Sequence, residues 1–175
     1  DDISDITGLL AKFYRTALNN GQQITTVSSA LENIRAYIEI QKKMHEEPFE
    51  VEYRIDESGI ECCMPNFLLQ PLVDNAMKHG IDAMEEPDTG KIIVEFCSKP
   101  KQLVFSIAIN GTLIELEMVE KLLNEQGKGY GIHNIKERLE LYYGALGSLE
   151  VKVTDAKYTC FTVKMPDTLQ KKNPK

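Results

Sequence analysis

No stretch of this sequence stays apolar for the roughly 18 residues that a membrane-spanning helix needs, and no signal peptide opens it, so nothing in it is expected to cross or contact a membrane. Its four cysteines, Cys62, Cys63, Cys97 and Cys160, show neither C-x-x-C spacing nor a disulfide-rich pattern. Reduced, buried thiols in a cytosolic setting are the expectation, ahead of metal binding. Positive charge is also short: 20 Lys and Arg against 27 Asp and Glu leave a net charge of −7, without the basic footprint of non-specific nucleic-acid binding. Internal repeats and low-complexity segments are absent. So is an initiator methionine, and the opening DDISDI reads as a cut inside a longer chain, though processing would also explain it. What is present is 175 residues, 42% hydrophobic and 27% charged, enough for one domain with a sizeable core and a helical appendage.

Apolar spacing from Ile6 to Leu18, stopped by Asn19-Asn20-Gly21, predicts a first helix. Val27, Leu31, Ile34, Ile38 and Gln41 predict a second, to His45, beginning near Thr26 even though Ser29 to Glu32 also fits a capping box. The two form a hairpin whose outer stripe could serve a partner chain, or the long helix could pack on its own domain. Alternation predicts strands at Phe49–Ile55, Lys91–Cys97, Gln102–Ile109, Leu149–Thr154 and Tyr158–Met165. Further helices are expected at Pro65–Gly80, Glu115–Leu123 and Tyr130–Tyr143, with a polar loop over Ile81–Gly90 and a polar tail from Asp167. The order implies an α+β fold: a two-layer α/β sandwich, its mixed sheet covered by helices on one face, preceded by a helical hairpin. The expected division is residues 1–47 for the helical segment, 48–167 for the sandwich and 168–175 for the tail.

Two stretches carry candidate chemistry. In Pro65–Gly80, PNFLLQPLVDNAMKHG, the apolar Phe67, Leu68, Leu72, Val73, Ala76 and Met77 recur at helical spacing, while Asp74, Asn75, Lys78 and His79 interrupt them. A carboxylate, an amide oxygen, an ammonium and an imidazole so close together can handle a metal-bound phosphate, because Mg²⁺ takes oxygen ligands and keeps orientable waters. Alone, the stretch fits an ordinary amphipathic helix better, capped by a left-handed Gly80. The second stretch, Gly127-Lys128-Gly129-Tyr130-Gly131, stands before a helix whose N-terminal amides can hold an anion. It is neither a P-loop nor a dinucleotide fingerprint, and a flexible glycine turn explains it equally well.

Taken in order, the first stretch, a hairpin ending in Ile109-Asn110-Gly111, and GKGYGIHNIKERLELYYG resemble the ATP-binding domain of sensor histidine kinases, in particular the LytS-like subgroup. LLAKFYRTAL and LENIRAYIEIQKKMHEE resemble the helices that follow the phosphoacceptor segment there, so the likeness covers nearly the whole chain. It implies a Bergerat-type sandwich binding ATP and Mg²⁺, with Asn75 as metal ligand and Asp74, where the subgroup usually has Glu, orienting a metal-bound water. By the same resemblance Lys78 and His79 contact or shape the phosphate side. Gly127, Gly129 and Gly131 form the second glycine box, and Asn134 and Arg138 match the N-x-x-x-R-L pattern that follows it. Arg138 reads equally as a surface residue paired with Glu137 or Glu140.

The chain departs from that pattern where the family has Asp-x-Gly-x-Gly. Here the residues are Ile109-Asn110-Gly111-Thr112-Leu113, and only the middle glycine survives. Ile109 cannot accept the adenine amino group's hydrogen bond, a loss of about 1.5–3 kcal/mol or roughly 10–150-fold in affinity. Asn110 could substitute only if the strand end were rotated. The histidines, His45, His79 and His133, lack the context of a phosphoacceptor, so this chain alone is not expected to autophosphorylate. The reading is the cytoplasmic catalytic portion of a membrane-anchored two-component sensor histidine kinase, homodimeric in full length and partnered by a response regulator. Its alternative is a degenerate signalling or dimerisation module with weak or no ATP binding.

Overall fold

A computed structural model describes residues 2–45, 48–82, 90–110, 130–154 and 157–169. Helix α1, Asp2–Leu18, starts a turn earlier than its apolar pattern and ends where Asn19, Asn20 and Gly21 take successive positive φ angles of 44°, 51° and 76°. Strand β1, Ile24–Thr26, leads into helix α2, Val27–Met44, where Thr26 Oγ1 accepts from the Ser29 amide at 3.2 Å. That cap places the helix start at Thr26 and leaves Ser29 inside the first turn. The hairpin is tied by Asn33, whose Nδ2 donates to the Phe13 carbonyl at 3.0 Å and to Thr16 Oγ1 at 2.9 Å.

Strands β2, Phe49–Ile55, and β3, Cys63–Pro65, precede helix α3, Gln70–Ala76, which continues as a π-helical turn over Met77–Ile81. The long helix expected from Pro65 therefore begins five residues later, because Met64 and Pro65 pair with β1 and Phe67 turns the chain at φ 57°. Strands β4, Gly90–Lys99, and β5, Gln102–Ile109, form a hairpin; helix α4, Tyr130–Tyr143, then leads to β6, Ser148–Val153, and β7, Thr159–Pro166. The expected polar loop lies mostly, and the helix at Glu115–Leu123 wholly, outside the described residues.

The five-stranded sheet runs β2-β4-β5-β7-β6, parallel between β2 and β4 and antiparallel elsewhere, and β1 pairs with β3 apart from it. This is the expected α+β sandwich. Ile92, Val94 and Phe96, with Leu103, Phe105, Ile107 and Ile109 on the next strand, put their period-two face inward. Against it lie Leu72, Val73 and Ala76 of α3, Ile132, Ile135 and Leu139 of α4, and Val27, Leu31, Ile34 and Ile38 of α2, all in one core. At about 1.5–3 kcal/mol for each fully buried aliphatic side chain, α2 is seated firmly in the helical layer. The sheet's outer face carries ion pairs instead, among them Lys91 with Glu52 at 2.8 Å and Lys164 with Glu150 at 2.6 Å.

Candidate functional site

Helix α3 is positioned by Pro71 in its first turn, which needs no amide partner there, and by the burial of Leu72, Val73 and Ala76. That burial turns Asp74 and Lys78 outward and leaves Asn75 at the layer's inner margin, only 7% exposed. The Asn75 Nδ2 donates to its own helix at the Pro71 carbonyl, 2.6 Å away. Its amide oxygen is thereby oriented away from that bond and accepts nothing from the described residues. A hard cation takes such an oxygen readily.

Asp74 is held at both carboxylate oxygens. The Tyr37 hydroxyl of α2 donates to Oδ1 at 2.7 Å, and Lys78 Nζ reaches Oδ2 at 2.8 Å. Lys78 is raised above its ordinary lysine value by that bond to Asp74. Burial pushes the Tyr37 phenol well up, and the Asp74 hydrogen bond and charge push it further, so it stays protonated as a donor across the physiological range. Tyr37 is the residue that sequence reading missed. Its signal was a phenol on the inward side of α2, where a buried hydroxyl must find a partner.

Gly131, in the first turn of α4, comes directly onto α3: a Cβ built there would stand 2.5 Å from Asn75 Nδ2 and 3.4 Å from Pro71 Cβ. The end of the glycine-rich stretch and the Asn75 amide, 56 positions apart in sequence, thus meet in the fold. Gly127 and Gly129 lie outside the described residues, as does Gly111; His79 is described in its backbone alone. Asn134 is exposed on α4. Arg138 is half-buried, and its Nε is buried without a hydrogen-bond partner among the described residues. No ion pair joins it to Glu137 or Glu140 among the described residues; Glu137 is 3.3 Å from His133 Nε2 instead.

At the far end of the π-helical turn, Ile109 is 1% exposed and packs onto Gly80. Gly80 does not take the left-handed cap conformation expected for it; a Cβ there would collide with the Ile109 side chain, so the glycine serves close packing. Asn110 is not rotated into the position that Ile109 fills. Its Oδ1 accepts from the Lys91 amide at 2.5 Å, and its own N–H donates to the Lys91 carbonyl at 3.2 Å. The two ends differ in their fit to a nucleotide: the Asn75 end has an oriented oxygen donor and a glycine approach, and the Ile109 end has no carboxylate.

Residues 66–169 match the model of the histidine kinase-, DNA gyrase B- and HSP90-like ATPase family. Among curated proteins, the chain is 25% identical over 166 residues to the sensor histidine kinase BtsS of Escherichia coli, covering 95% of this chain and 28% of that protein. It is 25% identical over 156 residues to the sensor protein LytS of Staphylococcus epidermidis, covering 86% and 26%, and 32% identical over 133 residues to the sensor histidine kinase YpdA of Escherichia coli, covering 75% and 23%. The chain thus spans about a quarter of the length of these relatives. The solved catalytic domain of histidine kinase ThkA shares its fold at a TM-score of 0.64 and 16% identity, over 82% of this chain and 94% of that one. Acinetobacter baumannii histidine kinase AdeS follows at 0.60 and 16%, over 95% and 79%.

Proposed function

Since the chain belongs to the histidine kinase-, DNA gyrase B- and HSP90-like ATPase family, we propose that it binds Mg-ATP as the catalytic portion of a two-component sensor histidine kinase and serves phosphoryl transfer to a histidine outside these 175 residues. The observation that carries this reading is the seat at the α3–α4 junction, where Gly131 lies against an Asn75 whose Nδ2 is already committed to Pro71. Asn75 would hold the metal through its amide oxygen, and Asp74 would orient a water on it. A bound magnesium ion supplies neutralisation of the charge that develops on the phosphates. Backbone amides at Gly127, Gly129 and Gly131 would face the phosphates, with Lys78 and His79 on the same side and Asn134 and Arg138 along the following helix. Lys78 has to leave, or share, its bond to Asp74 to reach a phosphate.

In the full-length kinase the chain would lie on the cytoplasmic side of a membrane anchor, act as a homodimer and pass its phosphoryl group to a response-regulator protein. Leu10, Tyr14 and Leu18 support the dimer: at i, i+4 and i+8 they form an exposed apolar stripe on α1. Among the described residues no helix is long and apolar enough to cross a membrane.

A second reading, a module of the same fold that binds ATP weakly or not at all, is favoured by Ile109 filling the space against Gly80 and by Asn110 being engaged at Lys91. Calorimetry with Mg-ATP separates the two. Binding below about 1 mM that Asn75→Ala abolishes is the expected outcome. Silence at several times that concentration would leave the second reading standing.

A further inference from the structure

We infer that Tyr37 is a positioning residue for the phosphoryl-transfer site: its hydroxyl fixes the Asp74 carboxylate beside Asn75 and so ties the site to the helical hairpin. The inference rests on the ATP reading above, which assigns Asp74 its place next to the metal. Of the two groups that hold Asp74, Lys78 comes from the same helix at i+4, with 63% of its side chain exposed. Such a pair restrains geometry weakly, because water competes for both charges. Tyr37 comes from another helix, is half-buried, and approaches at 2.7 Å from the inward side.

Its own position is fixed in turn. The Phe13 ring of α1 lies 5.9 Å from the Tyr37 ring at 36°, and Asn33, one turn before Tyr37, bonds to both the Phe13 carbonyl and Thr16 Oγ1. Helix α1 therefore supports the phenol by which α2 reaches one carboxylate oxygen on α3. A one-residue slide of α2 moves the phenol by about 1.5 Å along the helix axis, enough to take a bond of this length out of hydrogen-bonding range. Seating of the hairpin thereby decides whether Asp74 has one orientation or several.

Tyr37→Phe removes the hydroxyl and keeps the ring. Calorimetry on this chain, with Mg-ATP and with ATP plus a chelator, reads the consequence as the ratio of the two affinities. The expected result is a loss of about tenfold in the preference for Mg-ATP, with metal-free ATP affinity changed less than about twofold. In an Asp74→Asn background the same change should have no further effect, since the group it positions is gone. Phe13→Leu loosens the ring packing behind the phenol and keeps the hydroxyl, so it should cost part of the preference, less than Tyr37→Phe does.

A magnesium preference that survives Tyr37→Phe would overturn the role of Tyr37 alone, and so would an equal loss on adding Tyr37→Phe to the Asp74→Asn background. A wild-type chain that shows no Mg-ATP binding overturns the ATP reading, and this role with it. Thermal unfolding without ligand keeps a misfolded variant from passing as support: Tyr37→Phe should unfold within about 3 °C of the wild type.

Discussion

Gly131 and Gly80 both stand where a side chain would strike a neighbour, but the neighbours differ in kind. Gly131 faces the end of the Asn75 amide, and Gly80 faces the branched body of Ile109. The first approach is made to a buried polar side chain whose Nδ2 donates to the Pro71 carbonyl of its own helix. The second closes an apolar contact between the π-helical turn and the last residue of β5, with Ile109 at 1% exposure. One glycine makes room for a polar side chain, and the other makes room for an aliphatic one. Two glycines, one in α4 and one in the π-helical turn after α3, thus serve opposite kinds of contact, although each looks in sequence like a glycine beside a polar motif.

The strongest way to break that contrast is Ile109→Asp. Without ligand it should lower the unfolding free energy by more than about 4 kcal/mol in a urea titration, from lost aliphatic burial and a buried carboxylate without a partner. A loss under about 1 kcal/mol would mean that the Ile109 end is open to water after all. If adenine recognition lacks only that group, Mg-ATP should bind the same variant about tenfold or more tightly than the wild type.

Gly80→Ala should come next, at about 1–3 kcal/mol, because the new methyl overlaps three carbons of Ile109. Shortening the neighbour tests the cause. In an Ile109→Ala background the added destabilisation should shrink by more than about 0.5 kcal/mol, and simple additivity would place the strain elsewhere.

Gly131→Ala should affect stability less, by about 1 kcal/mol, since the atom it meets ends a side chain and can shift. Its larger effect should be on Mg-ATP affinity, with about a tenfold loss in calorimetry as Asn75 is displaced. Unchanged affinity would separate this glycine from the ligand site.

The smallest effect is expected on the outer sheet face, remote from both glycines. Lys152 and then Lys164 hold the Glu150 carboxyl down to about 2 from its ordinary value of 4.5. A carboxyl depressed in the folded state stabilises it fully above 4.5 and loses that contribution as the pH falls toward about 2. The pair is partly exposed, so Glu150→Gln should differ from the wild type by less than about 1 kcal/mol in urea at pH 7, and by nothing measurable near pH 2.

Local chemistry made much of the fold legible. The Thr26 cap bonds to a residue three positions away, and the apolar period of α2 begins beside it. The alternation in β4, β5 and β7 shows which side chains face inward, because one face of the sheet is covered and the other carries charge. The β1–β3 pair was not legible, since three-residue strands carry no periodic signal and Thr25 meets Met64 only through the fold. Gly80 looks like a helix cap as long as its partner Ile109, 29 positions on, is out of view. In the candidate site, Asn75 and the glycine-rich stretch were visible as residue types, and Gly131 could be tied to Asn75 only once α3 and α4 were packed. Tyr37 is legible as a phenol that needs a partner, but not as the partner of Asp74, because that bond joins two helices that share no local signal.

By itself, the sequence determined which residue types were at hand and that the end of β5 offers no carboxylate, because identity and near-neighbour periodicity are properties of the chain. Tertiary structure decided that Ile109 fills the space above Gly80, that Asn110 is engaged at Lys91, and that Asp74 answers to a tyrosine from the hairpin. The reason is physical: a hydrogen bond or a close contact depends on tenths of an ångström between groups far apart in the chain, and only packing sets those distances.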